Sequence, residues 1–373
     1  MSCLDVVFLV LLLPHAVRWV CVAAAAVAVN RRATHEIAFD PPEVLVQIPT
    51  YKPNASVVAA SLDAVLALDY DQTRITIQVL DDSPSSHIDS VVLSSMPRFA
   101  KVAFVRRGNR VGFKSGAQVH GQMLERHQPF VLMLDEDFQP EQSMLRFLVL
   151  RALADDRIGC VQGKWTFRNK TTLFERAQCA FLSVRHLEDA FRVALGVSTN
   201  FHGTVGLWRR AALNAIGGCM SSTILEDMDL TIRAHAAAQM IVFEERARAS
   251  SVNPIVARHY LAQQDRWERG RAQVGALSLR AIFRAKMPVT QKVEDVFLVA
   301  GGVEDVFVLA AIFASPVACA VWLVGTIVVF CAAGEARLAG FILRLLLLPV
   351  RALATIKGLL GLGTPEFIVT PKS

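Results

Sequence analysis

The stretch from Val306 to Ala333 carries no charged residue. A run this long and this apolar is typical of a helix that crosses a bilayer, where every backbone polar group must be satisfied within the segment. An earlier apolar run, Val6 to Val29, is interrupted by Pro14, His15 and Arg18. We predict a transmembrane helix from each run, with most of the charged residues between them.

The first run has an alternative interpretation as a secretory signal, because the alanines at 23–26 offer small-residue cleavage sites. No Lys or Arg precedes the run, which favours the transmembrane helix. The basic residues that flank the two runs are Arg31, Arg32, Arg269, Arg271, Arg280, Arg284, Lys286 and Lys292. Cytosolic flanks are rich in such residues, so we expect both flanks to face the cytosol.

We therefore divide the chain into an N-terminal transmembrane segment (1–30), a catalytic domain (31–290) and a C-terminal membrane region (291–373). In the last region Arg337, Arg344 and Arg351 recur every seven residues on one helical face. This pattern fits an interfacial amphipathic helix or a second crossing. The near-repeat "VEDVFLVAGG" and "VEDVFVLAAI" (293–312) has no period typical of a fold, and we interpret it as a local duplication or a sequence error.

The net charge of +6 fits both the basic flanks and an anionic substrate. No basic helix interleaved with aromatic residues appears, so we do not expect a nucleic-acid partner. The seven cysteines are widely spaced and form no C-x-x-C pair, which argues against a disulfide framework or a zinc site.

In the middle region, β-rich runs alternate with helical stretches. The strands are predicted at 44–49, 75–83, 101–105, 131–135 and 240–244, and the helices at 56–68, 142–154, 172–195 and 225–239. This alternation predicts an α/β fold with a mostly parallel sheet that is covered on both faces. Ligands of such sheets lie beyond the carboxyl ends of the strands.

Acidic residues follow two of these strands. Asp81 and Asp82 end one apolar strand, and the triplet Asp135, Glu136 and Asp137 ends another. Crowded carboxylates either raise one another's pKa or bind a cation, and Mg²⁺ or Mn²⁺ prefers oxygen ligands of this kind. We therefore expect a divalent cation at this edge of the sheet.

Three further segments carry candidate binding or catalytic residues. Lys114 lies between Gly112 and Gly116, in a flexible segment that could reach phosphate oxygens or simply be solvated. Glu226 and Asp227 begin a predicted helix, where the helix dipole favours acids and where one acid could act as a general base.

The segment "QQDRW" (263–267) places Gln263, Arg266 and Trp267 close together on a probable helix. Trp267 could stack on a sugar ring while Arg266 binds phosphate or hydroxyl groups. A Trp and an Arg near a membrane can also serve only as interface anchors.

Seven motifs in order resemble those of the processive family 2 glycosyltransferases: "LDDS", "GFKSGA", "LDEDFQP", "VQGKWTF", "HGTVGLWR", "LEDMDL" and "QQDRW". That family shares a D, D, D, Q-x-x-R-W signature on a GT-A fold. Within it, the chain is most similar to the cellulose synthase-like A and C proteins of plants and algae. The resemblance spans about residues 44–275. It implies a Rossmann-like, nucleotide-sugar-binding α/β domain with flanking transmembrane and interfacial helices.

The resemblance implies a role for each matching residue. Asp81 and Asp82 resemble nucleotide contacts, Lys114 a diphosphate contact, and Asp135 and Asp137 the ligands of Mn²⁺ or Mg²⁺. Asp227 resembles the base that deprotonates the acceptor. Substrate binding is assigned to Glu226, Gln263, Arg266 and Trp267, the last three at the acceptor end and the diphosphate.

The implied function is that of a membrane-bound inverting hexosyltransferase, which extends a β-1,4-linked mannan or glucomannan from GDP-mannose. Transfer of glucose from UDP-glucose to a glucan or glycolipid is an alternative, as is an inactive partner subunit of a complete synthase. The implied partners are a nucleotide sugar, a polysaccharide acceptor, membrane lipid and a possible second copy of the chain. The implied location is the Golgi membrane, in cell wall biogenesis, with the catalytic domain facing the cytosol.

The sequence departs from the family pattern at several positions. Lys52 and Pro53 replace the usual Asn-Glu after Tyr51, and Glu136 replaces a small residue. His202 replaces an Asn or Cys, and it either lies near the acceptor or is packed and hydrogen-bonded. The resemblance also leads us to expect further membrane helices after the last cytosolic segment, so we expect the C-terminal region to be truncated.

Overall fold

The computed structural model describes residues 2–29, 40–84, 101–219, 223–334 and 336–362. Arg31 and Arg32, on which part of the orientation prediction rests, lie outside these ranges. Residues 363–373 of the predicted C-terminal region also lie outside them. The described residues form one sheet with helices on both faces, and helices from the two ends of the chain pack together beside it.

The strands are β1 (Val44–Thr50), β2 (Ile75–Asp81), β3 (Lys101–Arg106), β4 (Phe130–Met133), β5 (Gln139–Pro140), β6 (Ile158–Phe167), β7 (Gly206–Arg209) and β8 (Met240–Ser251). The helices of the catalytic region are α2 (Ala55–Leu66), α3 (Phe113–Leu124), α4 (Met144–Leu153), α5 (Leu173–Ala194), α6 (Arg210–Ala215), α7 (Glu226–Ala236) and α8 (Ala257–Arg284). The terminal helices are α1 (Cys3–Val29), α9 (Val289–Val299), α10 (Gly301–Ala314), α11 (Pro316–Ala332) and α12 (Arg337–Leu359).

The sheet has the strand order β3-β2-β1-β4-β7-β6-β8-β5. The strands β3, β2, β1 and β4 are parallel, as predicted, so the chain after β2 and the chain after β4 emerge at the same edge. The longer strands β6 and β8 are also parallel to each other, whereas the short strand β7 runs antiparallel to both β4 and β6, and β5 runs antiparallel to β8. The prediction of a mostly parallel sheet is therefore confirmed, with two short antiparallel strands added. The short strands β5 and β7 have too few residues to show an alternating pattern.

Apolar side chains cover both faces of the sheet. One face packs against α2 and α4, through Val46, Ile48, Leu62, Ile77, Leu132, Leu145 and Leu148. The other packs against α6 and α7, through Met133, Phe201, Trp208, Leu213, Leu230 and Ile241. Strands buried on both faces are nearly continuous apolar runs, which explains why β1, β2 and β4 could be recognised from the sequence.

Two buried glutamines attach α3 to the sheet. Gln47 Nε2 donates to the carbonyl oxygen of Gln118 at 3.0 Å, and Gln78 Nε2 donates to that of Gly121 at 2.9 Å. Gln47 Nε2 also lies 3.0 Å from Gln78 Oε1. Buried polar groups of this kind are costly unless they are paired, so they define one position of α3 along the sheet.

The terminal helices differ from the predicted spans in one respect. The uncharged run from Val306 to Ala333 is divided between α10 and α11, because Pro316 lacks an amide hydrogen and Ser315 caps the new helix by accepting from the amide of Ala318. Among the described residues, Cys3–Ala25 and Arg337–Leu359 are long and apolar enough to cross a membrane. A third span is possible if α9 and α10, which are bent by 63° at their junction, count as one.

The arginine series on α12 does not lie on a single exposed face. Arg337 is exposed, whereas Arg344 and Arg351 are only 5% and 8% exposed. Their guanidinium groups pair with Asp305, at 2.5 Å and 2.7 Å. The spacing of seven residues therefore reflects internal ion pairs at two of its three positions.

Gly163 on β6 offers a test of this packing. A Cβ at this position would lie 2.6 Å from the carbonyl oxygen of Ala247 and 2.8 Å from Val205 Cγ1. We expect Gly163→Ala to lower the free energy of unfolding by about 1–3 kcal/mol, the usual cost of overpacking. Gly108→Ala is the control, since no atom lies within 4 Å of its Cβ position. Equal melting temperatures for Gly163→Ala and Gly108→Ala would contradict this packing.

Candidate active site

Asp81 and Asp82 lie at the end of β2, and both accept hydrogen bonds from side chains of other segments. Oδ1 of buried Asp81 accepts hydrogen bonds from Thr50 Oγ1 at 3.1 Å and from the amide of Ser83 at 3.0 Å. Oδ2 of Asp81 has no hydrogen-bond partner within the described ranges, and Arg106 Nε lies 3.7 Å away. Asp82 accepts from Arg107 Nε at 2.7 Å. The first acid therefore keeps one oxygen available, while the second is held by an arginine.

Lys114 lies in the first turn of α3. Gly112, in the left-handed conformation with φ 73°, is the N-cap of this helix. The prediction of a flexible glycine segment is therefore wrong, because the chain becomes helical at Phe113. Lys114 Nζ lies 2.6 Å from Asp135 Oδ1 and 3.9 Å from Glu226 Oε1, and it donates to the carbonyl oxygen of Gly203 at 2.9 Å.

Asp135 and Asp137 follow the end of β4, as predicted. The amide of Asp135 donates to Thr204 Oγ1 at 3.0 Å, which places its carboxylate beside Lys114. Both side chains are half-buried. Within the described ranges, no three His, Cys, Asp or Glu side chains form a metal-binding group. Ions such as Mg²⁺ are usually bound by one or two carboxylates together with substrate phosphates, and these two acids fit that arrangement.

Glu226 and Asp227 begin α7 and face the same cation. Burial raises the pKa of Glu226; Lys114 opposes this shift and Asp227 adds to it. Asp227 Oδ1 accepts from the amide of Met228 at 2.8 Å, and Oδ2 lies 3.1 Å from the position that a Cβ on Gly203 would occupy. The missing side chain at Gly203, whose φ is 80°, thus lets this carboxylate approach the backbone closely.

Arg266 on α8 faces the same acids. Burial lowers the pKa of its guanidinium, while Glu226, Asp227 and Asp135 favour the charged form. The structure therefore brings together two cations, Lys114 and Arg266, and the three acids Asp135, Glu226 and Asp227. The two cations therefore offset much of the negative charge of the three acids.

Trp267, one residue after Arg266, belongs to an aromatic wall. Its ring meets that of Trp165 edge to face, with centroids 6.3 Å apart. The guanidinium carbon of Arg185, on α5, lies 5.1 Å from the centroid of Trp267 and 5.7 Å from that of Trp165. Sequence patterns do not single out Arg185, because an arginine within an amphipathic helix is usually solvated.

His202 is packed and hydrogen-bonded. Its Nε2 lies 2.7 Å from Asp189 Oδ2, and its ring lies against Trp165 with centroids 6.3 Å apart. Burial alone would raise the pKa of Asp189, but His202 lowers it below its ordinary value. His202 also lines the cavity described next, so the packed, hydrogen-bonded histidine is compatible with a position near the acceptor.

A cavity of about 110 Å³ begins beside these residues and extends between the terminal helices. Arg185, Gln263 and Trp267 line its catalytic end, while Thr326 and Phe330 of α11 line the other. Gln178 and Gln264, which also line it, each have a buried polar atom with no hydrogen-bond partner within the described ranges. Aromatic faces and available polar atoms together suit a ligand with both apolar and hydroxyl surfaces.

Comparison with known proteins adds three findings. Residues 41–270 match the family model described as "Glycosyltransferase like family 2". Over 256 residues, the chain is 33% identical to glucomannan 4-beta-mannosyltransferase 2 of Arabidopsis thaliana. The aligned segment covers 66% of this chain and 47% of that protein. Over 241 residues, it is 34% identical to a probable glucomannan 4-beta-mannosyltransferase 4 of Oryza sativa subsp. japonica. That aligned segment covers 62% of this chain and 44% of the rice protein.

The chain thus spans less than half of the length of these curated relatives. Among solved structures, it is similar to the mannosyltransferase PcManGT from Pyrobaculum calidifontis, in complex with GDP-Man and Mn²⁺. The TM-score is 0.67 at 19% identity, over 95% of this chain and 99% of that one. This likeness shows a common GT-A fold.

Glu226 allows a test of the site's electrostatics. Because the folded protein holds the Glu226 proton more tightly than the unfolded chain does, ionised Glu226 destabilises the fold at neutral pH. We expect Glu226→Gln to raise the melting temperature at pH 7, by about 2–4 °C per kcal/mol gained. The gain should vanish as the pH falls below 4.5, the ordinary pKa of a glutamate.

Glu175 provides a control, because its substitution should change the melting temperature in the opposite direction. Hydrogen bonds, first from Thr171 and then from the amide of Thr172, lower its pKa to about 2. Its ionised form therefore stabilises the fold above an ordinary glutamate pKa. Glu175→Gln should lower the melting temperature at pH 7, with the loss shrinking as the pH falls. A lower melting temperature for both variants at pH 7 would contradict the assignment for Glu226.

Proposed function

We propose that this chain, which belongs to glycosyltransferase family 2, is a membrane-bound inverting transferase that extends a β-1,4-linked mannan or glucomannan from GDP-mannose. One observation carries the proposal: Lys114 and Arg266 converge on Asp135, Glu226 and Asp227 at the carboxyl edge of the sheet. A nucleoside diphosphate fits between the two cations. The sugar attached to it then lies toward the acid that begins α7.

The reaction needs one base. Asp227 removes the proton from an acceptor 4-hydroxyl while the hydroxyl oxygen attacks the anomeric carbon from the face opposite the diphosphate. The bond between the anomeric carbon and the diphosphate oxygen breaks, and the configuration changes from α to β. Lys114 and Arg266 stabilise the charge that grows on the departing diphosphate. A second carboxylate nucleophile is not required.

Asp135 and Asp137 would hold the divalent cation, Mn²⁺ or Mg²⁺, which when bound would offset diphosphate charge. Oδ2 of Asp81 is the acceptor available to the nucleotide. Asp82 holds Arg107, which also donates to the carbonyl oxygen of Phe113 at the start of α3.

On the acceptor side, we assign binding to Gln263, Trp267 and Arg185, which line the cavity together. Sugar rings have an apolar face that stacks on indole, and their hydroxyl oxygens accept from a guanidinium. This arrangement suits the growing polysaccharide as the occupant nearest the base.

GDP-mannose is the proposed donor because two curated relatives are named glucomannan 4-beta-mannosyltransferases and the similar structure of PcManGT is a complex with GDP-Man. UDP-glucose is the second candidate, because the motifs alone do not distinguish the two donors. An inactive partner subunit is disfavoured, because the candidate base and both cations face one site.

For the location, we propose a Golgi membrane protein with its catalytic domain toward the cytosol. The exposed basic residues Arg280, Arg284 and Lys286 support this orientation. Arg271 lies 3.6 Å from Glu268 and therefore contributes less to the basic flank than the sequence implies.

Two measurements test the proposed reaction: a comparison of three donors, and a substitution of the candidate base Asp227. Membranes containing the protein should incorporate label from GDP-mannose, but not from UDP-glucose or GDP-glucose, when Mn²⁺ is present. We expect Asp227→Asn to lower kcat by at least about 100-fold, since general bases contribute about 10²–10⁴. Asp229→Asn, two residues further along α7, is the matched control. Equal incorporation by wild type and Asp227→Asn would remove the proposed mechanism, and the sugar composition of the product would decide between mannan and glucan.

Arg185 provides a separate test of acceptor binding. We expect Arg185→Gln to raise the KM for a manno-oligosaccharide acceptor by about tenfold, the loss of one charge-assisted hydrogen bond, with little effect on the KM for the donor. Arg176→Gln is the control, because Arg176 lies exposed on the same helix. The assignment is wrong if Arg185→Gln alters the donor KM instead.

A further inference from the structure

The near-repeat places one buried Glu-Asp pair on each of two helices. Glu294 and Asp295 lie on α9, where they are 5% and 1% exposed. Glu304 and Asp305 lie on α10, where they are 3% and 0% exposed. Because these helices are bent by 63° at their junction, equivalent residues of the two copies contact different parts of the chain.

The first pair contacts the catalytic region. Glu294 Oε2 accepts from Arg18 Nη2 of α1 at 2.8 Å and from Arg192 Nε of α5 at 3.1 Å. Asp295 Oδ1 lies 2.8 Å from Nδ1 of His235, in the last turn of α7. The candidate base Asp227 lies in the first turn of α7, and Asp295, in the first copy of the repeat, contacts the last turn of the same helix.

The second pair contacts the terminal helices. Glu304 Oε2 lies 3.2 Å from His15 Nδ1, and its Oε1 accepts from Trp19 Nε1 at 3.2 Å, both on α1. Arg344 Nη2 lies 2.5 Å from Asp305 Oδ1, and Asp305 Oδ2 accepts from Arg351 Nε at 2.7 Å, both arginines being on α12.

Arg351 extends this contact to the helix that carries Arg266 and Trp267. Its Nη1 lies 2.8 Å from Oε1 of Glu268, which directly follows Trp267 and is 2% exposed. The helices α8 and α12 are also in close contact, because a Cβ on Gly358 would lie 2.4 Å from the carbonyl oxygen of Arg269.

The start of α7 is held against the same helix. A Cβ on Gly270 of α8 would lie 2.7 Å from Leu225 Cβ, and Leu225 immediately precedes Glu226. A shift of α8 would therefore move Arg266 and the beginning of α7 together.

We propose that the two repeated aspartates, Asp295 and Asp305, are positioning residues that hold α7 and α8 in register for sugar transfer, while Glu294 and Glu304 join the helices of the repeat, α9 and α10, to α1. The inference rests on the proposed function, and it concerns residues beyond the segment 41–270 that matches the family. Removing one member of a buried ion pair leaves its partner charged and uncompensated, so the helices must shift to resolvate it. Small displacements of groups that position a reaction reduce its rate strongly.

The test uses the full chain in detergent or nanodiscs. Asp295→Asn and Asp305→Asn should each lower kcat by about tenfold while the donor KM stays within about twofold, and the conservative Asp305→Glu should recover part of the loss. Amide hydrogen exchange should become faster in α7 for Asp295→Asn and in α8 for Asp305→Asn. Arg337→Gln on α12 and Asp156→Asn on the surface are controls that should match wild type in both measurements.

The outcomes are separable. If wild type transfers no sugar from any donor, the proposed function fails, and the exchange measurement alone then decides the positioning role. Wild-type exchange in α7 and α8 of both variants would overturn that role, as would a full kcat. If Asp305→Asn does not fold, Asp305→Glu takes its place. A positioning role then requires faster exchange in α8 and a reduced kcat, and wild-type values in Asp305→Glu and Asp295→Asn would overturn it.

Discussion

The contact between the Lys114 ammonium and the Asp135 carboxylate is the interaction on which the rest of the site depends. Burial alone would lower the pKa of Lys114, but Asp135 and then Glu226 raise it above its ordinary value, so the cation persists in a protected place. Without it, the acids after β4 and those that begin α7 would repel one another across a narrow gap. The cation therefore allows two acidic segments, distant in the sequence, to face the same substrate.

The terminal helices also contain buried charges that need partners of opposite charge. Arg18, at 8% exposed, lies within a helix that is otherwise apolar enough to cross a membrane, and Glu188 and Glu294 compensate its charge. Buried charges of this kind are tolerated only when they are paired. As a result, the helices that the sequence assigns to the membrane are bonded to the catalytic region by specific polar contacts as well as by apolar packing.

Much of the catalytic half could be predicted from the sequence. The strands β1, β2 and β4 can be predicted because central strands are continuous apolar runs, and Asp81 and Asp135 lie at the carboxyl ends of β2 and β4. Other features depend on partners that are distant in the sequence. The spacing of Arg344 and Arg351 suggested an interface with lipid, whereas their partner is Asp305.

The meaning of the near-repeat was equally inaccessible to pattern analysis, since its acids pair with five other helices. Arg185 could not be selected because its aromatic neighbours, Trp165 and Trp267, come from β6 and α8. Periodicity reports which face of an element is apolar. It does not report which charge on another element will meet that face.

The attachment of α3 by Gln47 and Gln78 has a consequence for turnover. A helix held by polar contacts inside an apolar layer cannot slide by one turn unless several donors lose their acceptors at once. The ammonium of Lys114 can therefore follow a departing anion only as far as rotation of its own side chain allows. In the proposed reaction, the product nucleotide therefore loses its contact with the ammonium of Lys114 when it dissociates. The ammonium then pairs again with the carboxylate of Asp135 before the next donor binds.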